Sequence, residues 1–269
     1  MIPAPFTYVK ARTMTEAHEA LATHGDEAKL LAGGHSLIPL MKLRLATPSV
    51  LVDIASLPGL SGIRQEGNEL VVGALTRHVL VERSPEVHRL VPLLAHTAAL
   101  VGDPQVRNRG TIGGSVAHGD SASDLPVALL ALGATFVATG PSGSRTITAK
   151  DFFVGFWQTA LQPNEILTEI RVPITGAASN YQKFTVRSQD WAVVSVAVAG
   201  DAIALGAMGE IPLRATAVEA ALRNGAAVRE AAQLADSDTS PSSDIRASAD
   251  YRRHLARVLT EDALVAAGR

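Results

Sequence analysis

Apolar positions at helical and strand spacing alternate along the chain from its start. Phe6-Thr7-Tyr8-Val9 reads as a short strand. Thr13-Met14-Thr15-Glu16 then matches a capping box, predicting a helix with Met14, Ala17 and Leu21 on one face and Gly25 as its stop. Lys29 to Ala32 reads as a second strand, Gly33-Gly34-His35-Ser36 as the turn after it, and Leu37 to Leu45 as a short helix capped by Ser36 with Pro39 in its first turn. Val50 to Ile54 is a buried-type strand that completes a strand–helix–strand–helix–strand unit.

A hairpin is predicted from Gly62-Ile63-Arg64 and Glu69 to Gly73, followed by a helix from Thr76 to Arg83 and a longer one from Pro85 to Val101. Residues 107–120 read as a glycine-containing loop between apolar helices. Leu125 to Leu132 is a helix with Asp124 at its cap and Pro126 just inside. Thr135 to Thr139, Arg145 to Thr148 and Glu165 to Pro173 read as strands, the last ended by proline. Beyond them, 181–186, 192–199 and 202–208 read as three antiparallel strands, with Gly200-Asp201 as a two-residue turn. Helices over 215–223, 227–234 and 251–266 close the chain. The expected units are residues 1–57, 58–174 and 175–269.

Composition narrows the chemistry. The chain has 269 residues, 47 % of them hydrophobic and 19 % charged, with a net charge of −2, so no basic surface argues for nucleic acid or an anionic membrane. No apolar run reaches the ~18 residues of a membrane span, and the start lacks a secretory n-region, which makes the expected location cytoplasmic. Zero cysteines exclude disulfides, thiolate zinc sites and any iron–sulfur cluster held by this chain. The eight scattered histidines form no metal spacing, no G-x-S-x-G elbow occurs, and no catalytic acid, base or nucleophile is expected here.

Two segments carry the remaining signal. Ala32-Gly33-Gly34-His35-Ser36 follows a strand and enters a helix, an arrangement whose free N–H groups and dipole favour a phosphate. Thr111-Ile112-Gly113-Gly114-Ser115 is a second such glycine pair with hydroxyls. A single extended anion held from two sides, such as a dinucleotide pyrophosphate, would fit. Asp53 lies where a Rossmann acid would, but the G-x-G-x-x-G pattern is missing, leaving nicotinamide dinucleotide binding as the weaker alternative. Arg107 and Arg109 read as solvated, Asp124 as a cap or a ligand partner, and Lys183 as a solvent-facing strand lysine.

Leu31 to Pro39 with Val52-Asp53-Ile54, Arg109 to His118, and Ser123-Asp124-Leu125-Pro126 together resemble the medium, FAD-binding subunit of molybdenum hydroxylases, the carbon monoxide, nicotine, caffeine and xanthine dehydrogenase type. The resemblance spans essentially the whole chain. It implies an α+β fold of the vanillyl-alcohol-oxidase type (PCMH), in which two N-terminal subdomains hold FAD and a C-terminal domain of antiparallel sheet and helices covers it. Carried over residue by residue, the FAD contacts are Leu31, Ala32, Gly33, Gly34, His35, Ser36, Leu37 and Ile38, then Thr111, Gly113, Gly114 and Ser115, with Asp124, Leu167 and Lys183 also matching. Ser115 stands where many members carry asparagine. The resemblance further implies a small [2Fe–2S] subunit and a large molybdopterin subunit as partners, a dimer of heterotrimers, and an external electron acceptor. A self-sufficient FAD-dependent oxidase of the same fold and a non-catalytic ligand-binding protein are the rival readings.

Overall fold

The first sheet follows from the N-terminal pattern. In the computed structural model, which describes residues 2–269, strands Thr7–Lys10, Ala28–Leu31 and Val50–Asp53 form a parallel sheet with the third strand in the middle. Thr7 and Ala28 both register on Val50. The intervening helix Met14–His24 begins as its sequence predicts: the Thr13 hydroxyl accepts the Glu16 N–H, and the Glu16 carboxylate accepts the Arg12 N–H at 2.7 Å. Gly25, at φ +50, ends it, and Ala17 and Leu21 pack inward.

The second sheet is antiparallel and has five strands, in the order Ile63–Glu66, Glu69–Gly73, Ile166–Pro173, Thr135–Gly140 and Gly143–Thr148. Its central strand, Ile166–Pro173, buries Ile166, Ile170 and Val172. Helix Ile112–His118 lies on that strand, and helices Pro92–Ala99 and Asp124–Ala131 complete the layer. Leu70, Leu94, Ile112, Leu125, Leu129, Phe136 and Phe152 fill the core between them.

The third sheet has four antiparallel strands, Ser179–Phe184, Val194–Ala199, Ala202–Gly206 and Leu213–Arg214, one more than the pattern predicts. Helix Ala249–Ala266 covers one face and helix Asp124–Ala131 packs on the other, so strand Val194–Ala199 is buried on both sides, with Val194, Val196 and Val198 facing the first helix and Ala197 the second. Helices Thr216–Arg223 and Val228–Ala232 flank this unit.

Three expectations change. The single helix expected over Pro85 to Val101 is two, Pro85–Leu90 and Pro92–Ala99, because Pro92 donates no N–H and drives Val91 out of the helical region to φ −142, ψ 67. The loop expected over 107–120 is mostly helical. Helix Pro104–Arg109, capped by Asp103, and helix Ile112–His118, capped by Thr111, meet at Gly110. The helix after the first glycine pair is only Leu37–Lys42, and Ser36, itself at helical φ and ψ, makes no side-chain cap bond. Among the described residues no helix is long and apolar enough to cross a membrane, and no three His, Cys, Asp or Glu side chains are grouped to hold a metal.

Candidate functional site

The first glycine segment leaves its donors open. Among the described residues, none of the five N–H groups from Gly33 to Leu37 donates to a protein acceptor. Gly34 sits at φ +78, a left-handed turn suited to glycine, and the Ile38 N–H returns to the Gly34 carbonyl at 3.0 Å. The turn thus closes through Ile38 while the preceding N–H groups remain available. The His35 ring and Ser36 hydroxyl have no protein partner either.

The second segment differs from its expected form. Its N–H groups are spoken for: Ile112 donates to the Thr76 carbonyl at 3.0 Å, Gly113 to the Ala74 carbonyl at 2.8 Å, and Gly114 to the Thr111 hydroxyl at 3.2 Å. The expectation that both glycine pairs offer open donors is therefore corrected: Gly113 and Gly114 form the first turn of a helix buttressed by a neighbouring strand end. Gly113 is needed because a Cβ there would lie 2.5 Å from the Ala74 Cβ. Gly114 faces the first segment, with the Ala32 Cβ 3.9 Å from where its own would be, and Ser115 keeps an unpaired, half-buried hydroxyl.

The two segments touch directly. A Cβ on Gly33 would stand 2.4 Å from the Arg109 carbonyl oxygen and 2.7 Å from the Gly110 Cα. On the far side of Gly110 lies the His78 ring, 2.7 Å from a Cβ placed there, while the His78 N–H donates to the Gly110 carbonyl. Gly33, Gly110 and His78 thus form a layer with no room for a methyl group. His78 is buried and its Nδ1 has no partner. Burial first, then the charges of His35 and Arg107, push its pKa down to about 4, so the ring is neutral at pH 7.

Asp124, Lys183 and Tyr181 form a second cluster, between helix Asp124–Ala131 and strand Ser179–Phe184 of the third sheet. The Lys183 ammonium donates to the Asp124 Oδ2 at 3.0 Å and to the Leu100 carbonyl at 3.2 Å, and the Tyr181 hydroxyl donates to the Asp124 Oδ1 at 2.7 Å. Burial raises the Asp124 pKa against the opposing pull of Lys183 and Tyr181. Burial, with the Asp124 charge beside it, also drives the Tyr181 phenol well above its ordinary value. Two readings are corrected here. The cap position belongs to Ser123, with Asp124 the first helical residue, and Lys183 is buried and ion-paired, not solvent-facing. Leu167 is also buried, beside a β-bulge in its strand, and packs into the main core.

Residues outside the sequence reading hold these parts in place. Arg107, expected to be solvated, pairs with Glu82 at 2.8 Å and donates to the Val101 carbonyl at 3.1 Å, tying down the turn next to Leu100. Tyr181 had a legible signal, since strand residues two apart share a face and so Tyr181 accompanies Lys183. His78 had none, because only the tertiary fold brings it to Gly110. A separate surface cleft of about 640 Å³, lined by residues including Ala55, Leu75, Arg77, Leu80 and Arg83, contains none of the expected contact residues.

With this geometry in place, comparison with known proteins is specific. The family described as FAD binding domain in molybdopterin dehydrogenase matches residues 4–175, and the CO dehydrogenase flavoprotein C-terminal domain matches residues 179–267. The chain is 42 % identical to the carbon monoxide dehydrogenase medium chain of Hydrogenophaga pseudoflava, over 99 % of this chain and 98 % of that one. It is 39 % identical to the glyceraldehyde dehydrogenase medium chain of Sulfolobus acidocaldarius, over 97 % of each. A solved structure of the Hydrogenophaga pseudoflava carbon monoxide dehydrogenase lacking the Mo-pyranopterin moiety contains a chain that superposes with a TM-score of 0.95 at 44 % identity, covering 100 % of this chain and 99 % of that one.

Proposed function

The chain belongs to the family of FAD-binding flavoproteins of molybdopterin dehydrogenases, and on that premise we propose that it is the FAD-holding electron-transfer subunit of a molybdenum-containing dehydrogenase. The run of five unpaired N–H groups from Gly33 to Leu37, set against the Arg109–Gly110 backbone, carries the reading. Consecutive free backbone donors at a left-handed turn and a helix start are matched to a phosphate group, and apolar Leu31, Ala32, Leu37 and Ile38 on either side suit the rest of a dinucleotide. The residues present therefore fit FAD.

In this assignment Gly33, Gly34, His35 and Ser36 supply donors to the pyrophosphate. Thr111, Gly113, Gly114 and Ser115 back that turn, with Ser115 adding a hydroxyl. Asp124, Leu167 and Lys183 belong to the flavin end of the site. Because the Asp124 carboxylate and the Lys183 ammonium already neutralise each other, they contribute an ordered, charge-balanced wall and not a free charge. When bound, FAD supplies the redox chemistry. The chain's own task is to hold it, orient it and keep water from its buried side.

A medium chain works beside a small and a large subunit. We assign [2Fe–2S] clusters to the small one and molybdopterin to the large one, with the whole a cytoplasmic dimer of heterotrimers that delivers electrons to an external acceptor. Residues 1–57, 58–174 and 175–269 are taken as its units, each built around one of the three sheets. The self-sufficient oxidase and the non-catalytic ligand-binding protein are not favoured, because the relatives that match nearly end to end are medium chains of multi-subunit dehydrogenases.

The test is purification of the full chain under gentle conditions. A yellow protein with flavin absorbance at about 375 and 450 nm, one FAD per chain, and little turnover of organic substrates by itself is expected. From the native source, a cysteine-rich small chain and a molybdenum-bearing large chain should co-purify. A colourless, flavin-free product refutes the reading.

A further inference from the structure

The cleft of about 640 Å³ lies outside the FAD contacts and has a chemical character of its own. Its volume is that of a small-molecule site, within roughly 300–1,000 Å³. Helix His78–Arg83 and the arginine before it form one wall, and Ala55 reaches in from the end of the first sheet. The apolar surface comes from Ala55, Leu75, Val79 and Leu80, and Leu80 stays 49 % exposed there without protein cover. All four are aliphatic. Among the described residues no aromatic ring and no carboxylate lines the cleft.

Its charges are all of one sign. Arg77 and Arg83 both line the cleft, and the carboxylate next to Arg83 in sequence, Glu82, is taken by Arg107 at 2.8 Å. The remaining polar groups are mostly donors. The Ser84 hydroxyl accepts the Val87 N–H at 3.3 Å, which leaves its own hydrogen to give, and the Ser61 hydroxyl lies opposite. The Asn108 side chain is held in place by donating to the Pro104 carbonyl at 2.7 Å.

The same wall is tied to the turn assigned to FAD. Arg77 pairs with Thr111 as an isolated antiparallel bridge, and the Ile112 N–H donates to the Thr76 carbonyl at 3.0 Å. The His78 N–H donates to the Gly110 carbonyl, also at 3.0 Å. Gly110 is wedged between His78 and Gly33 with no space for a methyl, and Asn108 stands two residues before it. Close packing transmits small displacements, so a shift of helix His78–Arg83 toward a ligand bears on the backbone that sets Gly33.

We propose that this cleft is an effector site for an aliphatic organic dianion, an alkyl phosphate or a dicarboxylate, whose binding changes the affinity for FAD. The effector role rests on the FAD reading. Two guanidinium forks match two negative charges, each able to bind a carboxylate or phosphate through paired N–H groups. The serine hydroxyls add donors, and the four aliphatic residues take the body of the ligand. A nucleotide fits poorly, because its base finds no aromatic face to stack on. A cation would meet two like charges. Coupling between the cleft and the FAD turn must be reciprocal, which makes it measurable from either side.

The test is isothermal titration of the full chain with hexyl phosphate. One saturable site is expected, with a Kd of about a millimolar or tighter. Adipate should compete for it, whereas hexanol and inorganic phosphate, each carrying half of the chemistry, should bind about tenfold more weakly or worse. Arg77→Gln and Arg83→Gln should each raise the Kd about tenfold, and Leu80→Ser several-fold. Arg89→Gln, at an exposed arginine outside the cleft, should leave it unchanged. Saturating hexyl phosphate should change the FAD Kd by about threefold or more, and FAD should change the hexyl phosphate Kd by the same factor.

Heats that never saturate, equal binding of hexylammonium, or a Kd within twofold after both arginine substitutions would overturn the proposal. So would an FAD Kd that hexyl phosphate leaves unmoved. One-for-one displacement of FAD would make the cleft part of the FAD site and overturn it as well. Flavin absorbance of the same samples separates the two readings. FAD uptake without hexyl phosphate saturation defeats this proposal alone, whereas saturation of a chain that takes up no FAD defeats the FAD reading and the effector role with it.

Discussion

Gly33→Ala tests the contact between the two glycine segments. The added methyl would stand 2.4 Å from the Arg109 carbonyl oxygen and 2.7 Å from the Gly110 Cα, both main-chain atoms that no rotamer change can move. Restoring ordinary contact at about 3.5 Å requires the segments to separate by roughly 1 Å. Gly110 cannot retreat freely, because His78 closes its other side. Overpacking of this kind costs about 1–3 kcal/mol, and because the displaced backbone is the one that presents the donors, most of that cost should appear as lost FAD affinity. At ~1.4 kcal/mol per decade, binding should weaken roughly ten- to a hundred-fold. The assay is FAD titration onto the flavin-free chain, followed by flavin fluorescence. Gly133→Ala is the control: at φ +66, with no atom within 4 Å of the new methyl, it should cost about 1 kcal/mol of stability and leave FAD affinity unchanged. Gly33→Ala binding FAD within twofold of wild type, or Gly133→Ala weakening it equally, would refute the reasoning.

Other outcomes follow from the buried charges. Lys183→Met removes the largest influence lowering the Asp124 pKa, so that carboxyl, already raised above 3.8 by burial, titrates higher still. A carboxyl raised on folding favours the fold below its unfolded pKa and loses that contribution as pH rises through its folded value. The variant should therefore lose about 3–5 kcal/mol at pH 8 and less at pH 5 by urea melts, and an equal loss at both would count against it. Tyr181→Phe deletes a buried hydrogen bond to a charged carboxylate and should cost about 1.5–3 kcal/mol by the same measurement. His78, depressed from 6.5 to about 4, contributes stability that is complete above pH 6.5 and lost toward pH 4. His78→Leu should flatten that acid limb by on the order of 3 kcal/mol, and an unchanged slope would show the ring is not buried neutral. Ser115→Asn should retain or tighten FAD, so marked flavin loss would show its hydroxyl to be a required contact.

Local signals carried much of the fold. The capping box at Thr13, the strands on either side of Gly33-Gly34 and the proline-terminated strand Ile166–Pro173 could be read from neighbouring residues, because each depends on hydrogen bonds or periodicity within a few positions. The break at Val91 was legible too, in Pro92, but the continuous apolar stripe over Val87, Leu90, Val91 and Leu94 outweighed it. What the pattern could not give was partnership across the chain. Lysine in a strand normally faces water, and only helix Asp124–Ala131, packed on the third sheet, turns Lys183 inward. Likewise, Gly113 reads as an open anion-binding residue until the Ala74 carbonyl, 39 positions earlier, occupies its N–H.

The order of strands in the middle sheet bears on how the protein is made. Ile166–Pro173 is the last of the five to leave the ribosome, yet it sits at the centre and pairs with Glu69–Gly73 on one side and Thr135–Gly140 on the other. At 5–20 residues per second, the roughly ninety residues between the first of these strands and the last take about 5–20 s to synthesise. During that interval the hairpin of Ile63–Glu66 and Glu69–Gly73 waits with an unpaired edge, joined only for the last few seconds by that of Thr135–Gly140 and Gly143–Thr148, and is open to sticking to other nascent chains. Helix Ile112–His118 also lacks the strand on which it rests. Cofactor capture is thereby deferred until most of the polypeptide exists, and a pause or truncation just before Ile166 should yield aggregates rather than a partially assembled flavoprotein.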